Sequence, residues 1–215
     1  MRAVCLIKTN LKGGTFEIRE VKDPVPKENE VKIKVNFFGL NYADVMAGAG
    51  LYRDCPPLPA ILGYECTGTV IECGKLVDQK WLGKKVIAFT RFGAYAEFVC
   101  TTAMGIEEIP ENCKEENALP LGTQYATALY AATEMVNLNE NDFILIHAAA
   151  GGVGTALTQI GKWKKCKIIA LAGNDEKEKY EQKNGADYFI NYKKTDYVNE
   201  IKKIVQDKIL QFSDD

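Results

Sequence analysis

The sequence has little histidine and no paired cysteines. His147 is the only histidine among 215 residues, so a histidine-rich metal site is excluded. The seven cysteines are scattered and include no Cys-x-x-Cys pair, so they lack the ligand spacing of a structural zinc site. A disulfide framework is not expected from an odd, scattered set, and reduced thiols are typical of the cytosol. We therefore expect a cytoplasmic protein without a metal site.

The sequence also lacks an excess of charge of either sign and lacks long hydrophobic runs. Lysine plus arginine number 27 and aspartate plus glutamate 29, a formal net charge of −2. This balance does not indicate nucleic acid or an anionic membrane as a partner. No apolar run approaches the roughly 20 residues of a membrane-spanning helix. With 47% hydrophobic and 26% charged residues, the composition is that of an ordinary globular protein.

The first half of the chain, residues 1–120, has the pattern of short strands separated by turns. Val31–Val35 alternates apolar and polar residues, which is the period of a half-buried strand. Further strands are predicted at Gly68–Cys73, Lys85–Phe89 and Ala94–Cys100. Cys55–Pro59 is predicted as an extended loop, because its prolines disfavour helix. Many short strands with glycine turns indicate a β-barrel or sandwich domain.

The period changes in the second half, residues 121–215, where helices alternate with buried strands. A long helix is predicted over Ala118–Met135. The elements predicted after it are a strand at Phe143–Ile146, a helix from Val153 to Trp163, a strand at Lys167–Leu171, a charged surface helix at Glu176–Asn184, a strand at Tyr188–Ile190 and an amphipathic helix from Tyr197 to Val205. Continuous apolar strands are typical of parallel sheets that are buried on both faces. The order predicts an α/β domain with a doubly wound parallel sheet.

A glycine-rich turn lies between the first buried strand and the helix after it. The sequence from Ala149 to Gly154 is a Gly-x-Gly-x-x-Gly turn with alanine in the first glycine position. Glycine in the second position lets the backbone approach a pyrophosphate, glycine in the third lets helix and strand pack closely, and free N–H groups at the helix start face the phosphates. The residues assigned to a dinucleotide on this basis are Ala150, Gly151, Gly152, Val153 and Gly154. The alternative is a purely structural glycine turn.

The residues after the second buried strand favour NADPH over NADH. NAD-preferring sites carry Asp or Glu here to hold the ribose 2′-hydroxyl, whereas this chain has Gly173 and Asn174. A 2′-phosphate is expected to fit at Gly173, to pair with Lys177 and to accept hydrogen bonds from Asn174 and Tyr192. The two acidic residues that follow Asn174 argue against this assignment. The alternative for Lys177 is a solvated surface lysine.

Five motifs give the chain a resemblance to a known family. They are residues 38–44 (FGLNYAD), 50–52 (GLY), 63–68 (GYECTG), 93–97 (GAYAE) and 147–154 (HAAAGGVG). With these motifs the chain resembles the zinc-independent quinone oxidoreductases of the medium-chain dehydrogenase/reductase superfamily, closest to the branch of synaptic-vesicle amine-transport protein homologues. The resemblance implies a GroES-like β-barrel domain followed by a Rossmann domain, with NADPH as the cofactor and hydride transfer to a quinone.

The resemblance also implies catalysis without zinc and roles for single residues. Zinc-dependent relatives carry cysteine at the position of Asn41 and histidine at that of Tyr64, and neither residue of this chain is a credible zinc ligand. Asn41 is implied to lie beside the nicotinamide and donate its amide N–H to the substrate carbonyl, Tyr52 to offer its hydroxyl, and Thr127 to lie near the nicotinamide. The alternatives are a turn-forming asparagine, a half-buried loop aromatic and a threonine that packs in a helix.

Three further residues are expected to have supporting or structural roles. Asp44 and Glu65 are interpreted as buried carboxylates that support the pocket rather than a catalytic pair, because water can protonate a reduced quinone. His147 is interpreted as a histidine at a strand end. Met46 replaces a second tyrosine of the family, which leaves the substrate specificity open.

The sequence predicts fewer strands than the resemblance implies. A complete doubly wound dinucleotide domain has six strands, and this sequence predicts three. The expectation is a partial, first-half Rossmann domain, and the alternatives are a fragment, a truncated gene product, and a chain completed by a homo-oligomeric or other partner chain. Three functions stay open: NADPH-dependent reduction of a quinone, NADPH-dependent reduction of an enal, enone or enoyl thioester, and a catalytically inactive nucleotide-binding or interaction protein.

Overall fold

Short strands joined by turns form antiparallel sheets in the first half of the chain. The structure is a computed structural model that describes residues 1–212, with side chains through residue 206. The chain divides into two compact units, Met1–Thr123 and a second unit that begins at Gln124. The strands of the first unit are β1 (Arg2–Lys8), β2 (Thr15–Glu20), β3 (Glu30–Phe38), β4 (Ala60–Ile61), β5 (Glu65–Cys73), β6 (Lys85–Phe89), β7 (Phe98–Thr102) and β8 (Ile106–Glu108). One antiparallel sheet has the order β2-β1-β4, and another has the order β7-β3-β5-β6-β8.

The core of the first unit follows from the alternation within its strands. Val31 and Ile33 of β3 are fully buried and pack in one cluster with Val70 of β5 and Val86 of β6. Burial of each such side chain is worth about 1.5–3 kcal/mol. The short helices α1 (Tyr42–Gly48) and α2 (Glu115–Ala118) belong to the same unit, and α1 follows β3 directly.

The four predicted strands of the first unit are largely confirmed, with one correction and four omissions. The strand at Lys85–Phe89 has its predicted bounds, whereas the strand predicted at Ala94–Cys100 begins only at Phe98. The main chain of Tyr95 and Glu97 instead bonds to β1 before the chain crosses to β3, so the segment serves both sheets. Strands β1, β2, β4 and β8 were not predicted from the sequence.

The second unit is a parallel sheet with helices on both faces. Its elements are α3 (Gln124–Tyr130), β9 (Phe143–Ile146), α4 (Gly152–Trp163), β10 (Lys167–Ala172), α5 (Glu178–Asn184), β11 (Tyr188–Asn191) and α6 (Tyr197–Phe212). The strand order is β11-β10-β9, and all pairs are parallel. Ile168 packs on the side that holds Leu157 of α4, and its neighbour Ile169 packs on the side that holds Ile201 of α6. This confirms the doubly wound arrangement. The last three residues of the second predicted domain, 213–215, lie outside the described residues.

The long helix predicted over Ala118–Met135 is wrong. The segment divides into the end of α2, a 3₁₀ turn at Leu119–Leu121, α3 and a π-helical turn at Ala131–Met135. Pro120 is compatible only with the first turn of a helix and lies in the 3₁₀ turn, and Gly122, a weak helix former, follows it before α3 begins at Gln124. The apolar periodicity continues across this break, so the sequence pattern did not indicate it.

Helix α5 buries a carboxyl group that the charge pattern of the sequence placed on the surface. Glu181 is fully buried, although its segment was predicted to be a charged surface helix. Neither of its carboxyl oxygens has a hydrogen-bond partner within the described part of the chain. Burial raises the pKa of Glu181, and the nearby charge of Lys177 opposes this shift.

We expect Glu181→Gln to stabilise the protein in a pH-dependent way. Because the pKa is raised in the folded state, the stability is full below the ordinary value of 4.5 and is lost as the pH rises through the raised value. The melting temperature of the variant should therefore exceed that of the wild type at pH 8, by about 2–4 °C for each kcal/mol, and the gain should vanish near pH 4. Glu178→Gln, on the exposed side of the same helix, is the control. An equal gain at both pH values would contradict an ionisation penalty.

Candidate functional site

The glycine turn joins β9 to α4 and presents the start of that helix to solvent. Gly151 is the N-cap residue, and Gly151 and Gly152 are exposed. The first N–H groups of an α-helix have no partner within the helix, so those of the first turn of α4 are available to a ligand. That turn carries no acidic side chain. The arrangement suits an anion, and a dinucleotide pyrophosphate in particular.

The glycines of this turn occupy positions where a side chain does not fit. A Cβ atom at Gly154 would lie 2.5 Å from the carbonyl oxygen of Ala148 and would overlap that of Ala149. Ala148 itself has a φ of 49°, in the left-handed region, which completes the sharp turn. Gly154 thus has the close-packing role that the sequence predicts for the last glycine of the motif.

A residue that the sequence did not point to lies against the same turn. A Cβ atom at Gly152 would overlap the side-chain amide of Gln124 in α3. Gln124 precedes the glycine motif by 27 residues and belongs to no recognised pattern, so the sequence contained no signal for it. Thr127, on the same helix, is exposed, which differs from the alternative of a packed threonine.

The residues after β10 and β11 surround Gly173. A Cβ atom at Gly173 would lie 2.7 Å from the Tyr192 hydroxyl and 3.1 Å from Cε of Lys193. Tyr192 and Gly173 are therefore close together, as the sequence predicts. Lys193 was missed, although its position directly after Tyr192 was a usable signal.

The acidic residues beside this region are occupied by internal partners. Asp175 accepts hydrogen bonds from Lys194 and Asn191, and these two contacts hold the pKa of Asp175 below its ordinary value. Asn174 caps the following turn, since its Oδ1 accepts from the Glu176 N–H at 3.0 Å and its Nδ2 donates to the Glu176 carboxylate. The side chain of Asn174 is thus engaged locally rather than open to a phosphate.

Lys177 is exposed at the end of the same 3₁₀ turn. With Lys193 and Lys194 it makes the region after β10 and β11 locally basic, and only Lys194 is paired with Asp175 in an ion pair between described residues. The region can accept a phosphate despite its two acidic residues.

In the first unit, Asn41 is held at the start of α1 by two carboxylates. It is the N-cap residue of α1, and its backbone N–H donates to Asp44 Oδ2 at 2.9 Å. Its side-chain Nδ2 donates to Glu65 Oε1 at 3.0 Å. The side chain therefore bonds across the fold to β5, and Asn41 and Asp44 also form a capping box at the start of α1.

Asp44 and Glu65 are both buried, as expected of supporting carboxylates. Asp44 also accepts the backbone N–H of Gly63 at 3.3 Å.

Burial, and secondarily the charge of Glu65, raise the pKa of Cys66 to about 12, so this thiol is protonated at neutral pH and is not a nucleophile.

Tyr52 lies in an aromatic environment and is partly buried. It packs against the cluster that contains Ala47 and Tyr95, and its ring meets that of Tyr64 edge-on, with centroids 6.1 Å apart. Burial raises the pKa of Tyr64, so its hydroxyl stays protonated in the physiological range. Tyr52 thus has the position of a half-buried loop aromatic, which is the alternative to a functional role given above.

Two searches for other kinds of site gave negative results within residues 1–212. No cluster of three or more histidine, cysteine, aspartate or glutamate side chains there could hold a metal ion. No helix in that range is long and apolar enough to span a membrane. His147 is exposed directly after β9, and its ring meets the edge of Tyr197.

Comparisons with known proteins match both halves of the chain. Residues 27–147 match the alcohol dehydrogenase GroES-like domain, and residues 152–213 match the zinc-binding dehydrogenase family. The human synaptic vesicle membrane protein VAT-1 homolog is 35% identical over 205 residues, which are 93% of this chain and 52% of that protein. The mouse quinone oxidoreductase-like protein 2 is 34% identical over 188 residues, which are 87% of this chain and 54% of that protein.

Solved structures give the same result. The Escherichia coli quinone oxidoreductase complexed with NADPH is similar with a TM-score of 0.89 and 28% identity, over 96% of this chain and 63% of that chain. The expected fold, a GroES-like domain followed by part of a Rossmann domain, is confirmed. The chain spans about half the length of the curated relatives it matches.

Proposed function

We propose that this chain, which belongs to the alcohol dehydrogenase GroES-like family, binds NADPH and reduces a small quinone. The observation that carries this proposal is the glycine turn between β9 and α4, with its exposed glycines and its helix start free of acidic side chains. The similarity to an NADPH-complexed quinone oxidoreductase supports it.

The residues of the second unit fit a bound NADPH, which would supply the hydride. The backbone N–H groups of Gly152, Val153 and Gly154 hold the pyrophosphate, and Ala150 and Gly151 form the turn that leads to them. The side chains of Tyr192 and Lys193 fill the position over Gly173, so the 2′-phosphate is proposed to bind beside these two side chains rather than on Gly173 itself, and the exposed Lys177 adds a second cation. Asn174 contributes by shaping the turn, because its side chain is bonded to Glu176. Thr127 remains a proposed contact of the nicotinamide.

The residues of the first unit supply polar groups for a carbonyl substrate. The Asn41 amide has two hydrogens, and one of them is donated to Glu65. The second can stabilise negative charge on a quinone oxygen as it is reduced. Tyr52 offers its hydroxyl as a further donor. Water can protonate the product, so neither a dedicated acid nor a catalytic zinc is part of the proposal.

The first experiment is a fluorescence titration of the purified chain with NADPH, with NADH as the control nucleotide. We expect saturable binding that is tighter for NADPH. Equal dissociation constants would contradict the NADPH assignment, and no binding by a folded chain would contradict the proposed function as a whole.

NADPH oxidation is then measured with quinones and with enals as acceptors. Turnover of quinones is expected. Faster turnover of enals would favour the enoyl-type reductase, and binding without turnover of any acceptor would favour a catalytically inactive nucleotide-binding protein.

A further inference from the structure

The side chain that contacts the Asn41 amide is a fully buried acid. Glu65, the first residue of β5, has no exposed surface. Its Oε1 accepts the hydrogen bond from Asn41 Nδ2 at 3.0 Å, and its Oε2 has no hydrogen-bond partner among the described residues. Burial of a carboxyl group costs free energy unless hydrogen bonds compensate, so the presence of Glu65 beside Asn41 requires an explanation.

Two glycines leave just enough room for this carboxyl group. A Cβ atom at Gly39 would overlap Glu65 Oε1 and would lie 2.8 Å from Cδ. A Cβ atom at Gly122 would lie 2.8 Å from Oε2. Both glycines are buried. The main chain at Gly39 packs against Oε1 and the main chain at Gly122 packs against Oε2, so the carboxyl group has no room to move aside.

The chemistry of the pair determines which way the Asn41 amide points. Glu65 Oε1 accepts the hydrogen bond from Asn41 Nδ2, so the NH₂ end of the amide faces Glu65. The backbone of Asn41 is held separately by Asp44. The backbone and the side chain of Asn41 are thus each fixed by a different buried carboxylate, and the amide oxygen is left on the side away from Glu65.

We propose that Glu65 is a positioning residue that acts through Asn41: it fixes the orientation of the Asn41 carboxamide, so that the same amide hydrogen is always available to the substrate. The inference rests on the proposed function for its catalytic consequence, and on the hydrogen bond between Asn41 and Glu65 for its geometry. Glu65 itself neither contacts the substrate nor transfers a proton.

Kinetics of Glu65→Gln test the catalytic consequence. Glutamine has the same shape, but its amide can accept from or donate to Asn41, so either orientation becomes allowed. We expect kcat with quinone to fall about 10- to 100-fold, because misplacement of a catalytic group lowers the rate by a factor of this size. The NADPH dissociation constant should be unchanged. In an Asn41→Ala background, Glu65→Gln should cause no further loss. Additive losses, or a change confined to KM, would overturn the proposal.

Glu181→Gln is the matched control for these kinetics. Glu181 is also a fully buried glutamate, but it lies in α5 of the second unit. Its substitution should leave kcat with quinone unchanged. A loss equal to that of Glu65→Gln would mean that any buried glutamate has the same effect and would overturn a specific role of Glu65.

NMR of the side-chain amides of the full ¹⁵N-labelled chain tests the geometry without any turnover. The Asn41 signals are identified by their disappearance in Asn41→Ala. One amide proton should resonate downfield of those of exposed asparagines, and it should move upfield in Glu65→Gln. A signal that Glu65→Gln does not move would overturn the inference.

The two experiments separate the inference from the proposed function. If the amide signal responds but the chain oxidises no NADPH, the proposed function fails and the orienting contact stands. If Glu65→Gln does not fold, the wild-type spectrum decides: a downfield proton on Asn41 supports the inference, and a proton among those of exposed asparagines overturns it.

Discussion

Substitution of Gly154 by alanine is expected to weaken NADPH binding by about 100-fold or more. The new Cβ atom would lie 2.5 Å from the Ala148 carbonyl oxygen and would overlap that of Ala149, and these are main-chain atoms that cannot turn aside. The turn and the start of α4 must therefore separate. Loss of two charge-assisted hydrogen bonds to phosphate, each worth about 1.5–3 kcal/mol, gives an effect of this size.

The same substitution should also lower the melting temperature. Overpacking costs about 1–3 kcal/mol, which corresponds to a fall of roughly 2–10 °C in a chain of this size. Titration with NADPH and thermal unfolding of the same sample measure both effects. Lys164→Ala, at the far end of α4, is the control and should change neither. Unchanged NADPH affinity in a folded Gly154→Ala variant would show that the nucleotide does not bind at this turn.

Reversal of charge at Lys177 and Lys193 is expected to abolish the preference for NADPH. Lys193 lies against Gly173, and Lys177 is exposed nearby in sequence, whereas Lys194 is already paired with Asp175. Each lysine that bonds a 2′-phosphate contributes about 1.5–3 kcal/mol, and each 1.4 kcal/mol is tenfold in affinity. The Lys177→Glu/Lys193→Glu double variant should therefore lower the ratio of NADPH to NADH affinity by about 100-fold or more.

Titration of the double variant with both nucleotides measures this ratio. The affinity for NADH should change little, because its ribose hydroxyl carries no charge, and Lys164→Glu serves as the net-charge control for each single variant. The single variants assign the effect to either lysine. An equal loss of affinity for both nucleotides would mean that the lysines attract the pyrophosphate in general rather than the 2′-phosphate.

Some features of this protein are local in the sequence and could be predicted from it. Strands β9, β10 and β11 are short apolar runs in the sequence, and β9 has the bounds predicted for it, although its Leu145 is exposed. The glycine turn after β9 is contiguous, so its residues and its role in close packing could be assigned from the order of the residues alone. The motifs shared with a known family covered both units for the same reason, since each motif is a short continuous segment.

Other features could not be predicted because they join residues that are distant in the chain. Periodicity alone predicted one long helix where the chain forms a 3₁₀ turn, α3 and a π-helical turn, because apolar spacing does not distinguish a continuous helix from a series of short ones. Burial of Glu181 depends on what packs over α5, and charge in the sequence indicated the opposite.

The sequence by itself thus determined the parallel sheet and the glycine turn, because these depend on local period and composition, and its motifs supplied further candidate residues through the resemblance to a known family. Only the tertiary structure decided what those candidates touch. Asn41 and Glu65 are 24 residues apart, and only the approach of β5 to the start of α1 makes one the hydrogen-bond partner of the other. Contacts of this kind depend on three-dimensional packing, in which glycines as remote as Gly39 and Gly122 define the space for a single carboxyl group.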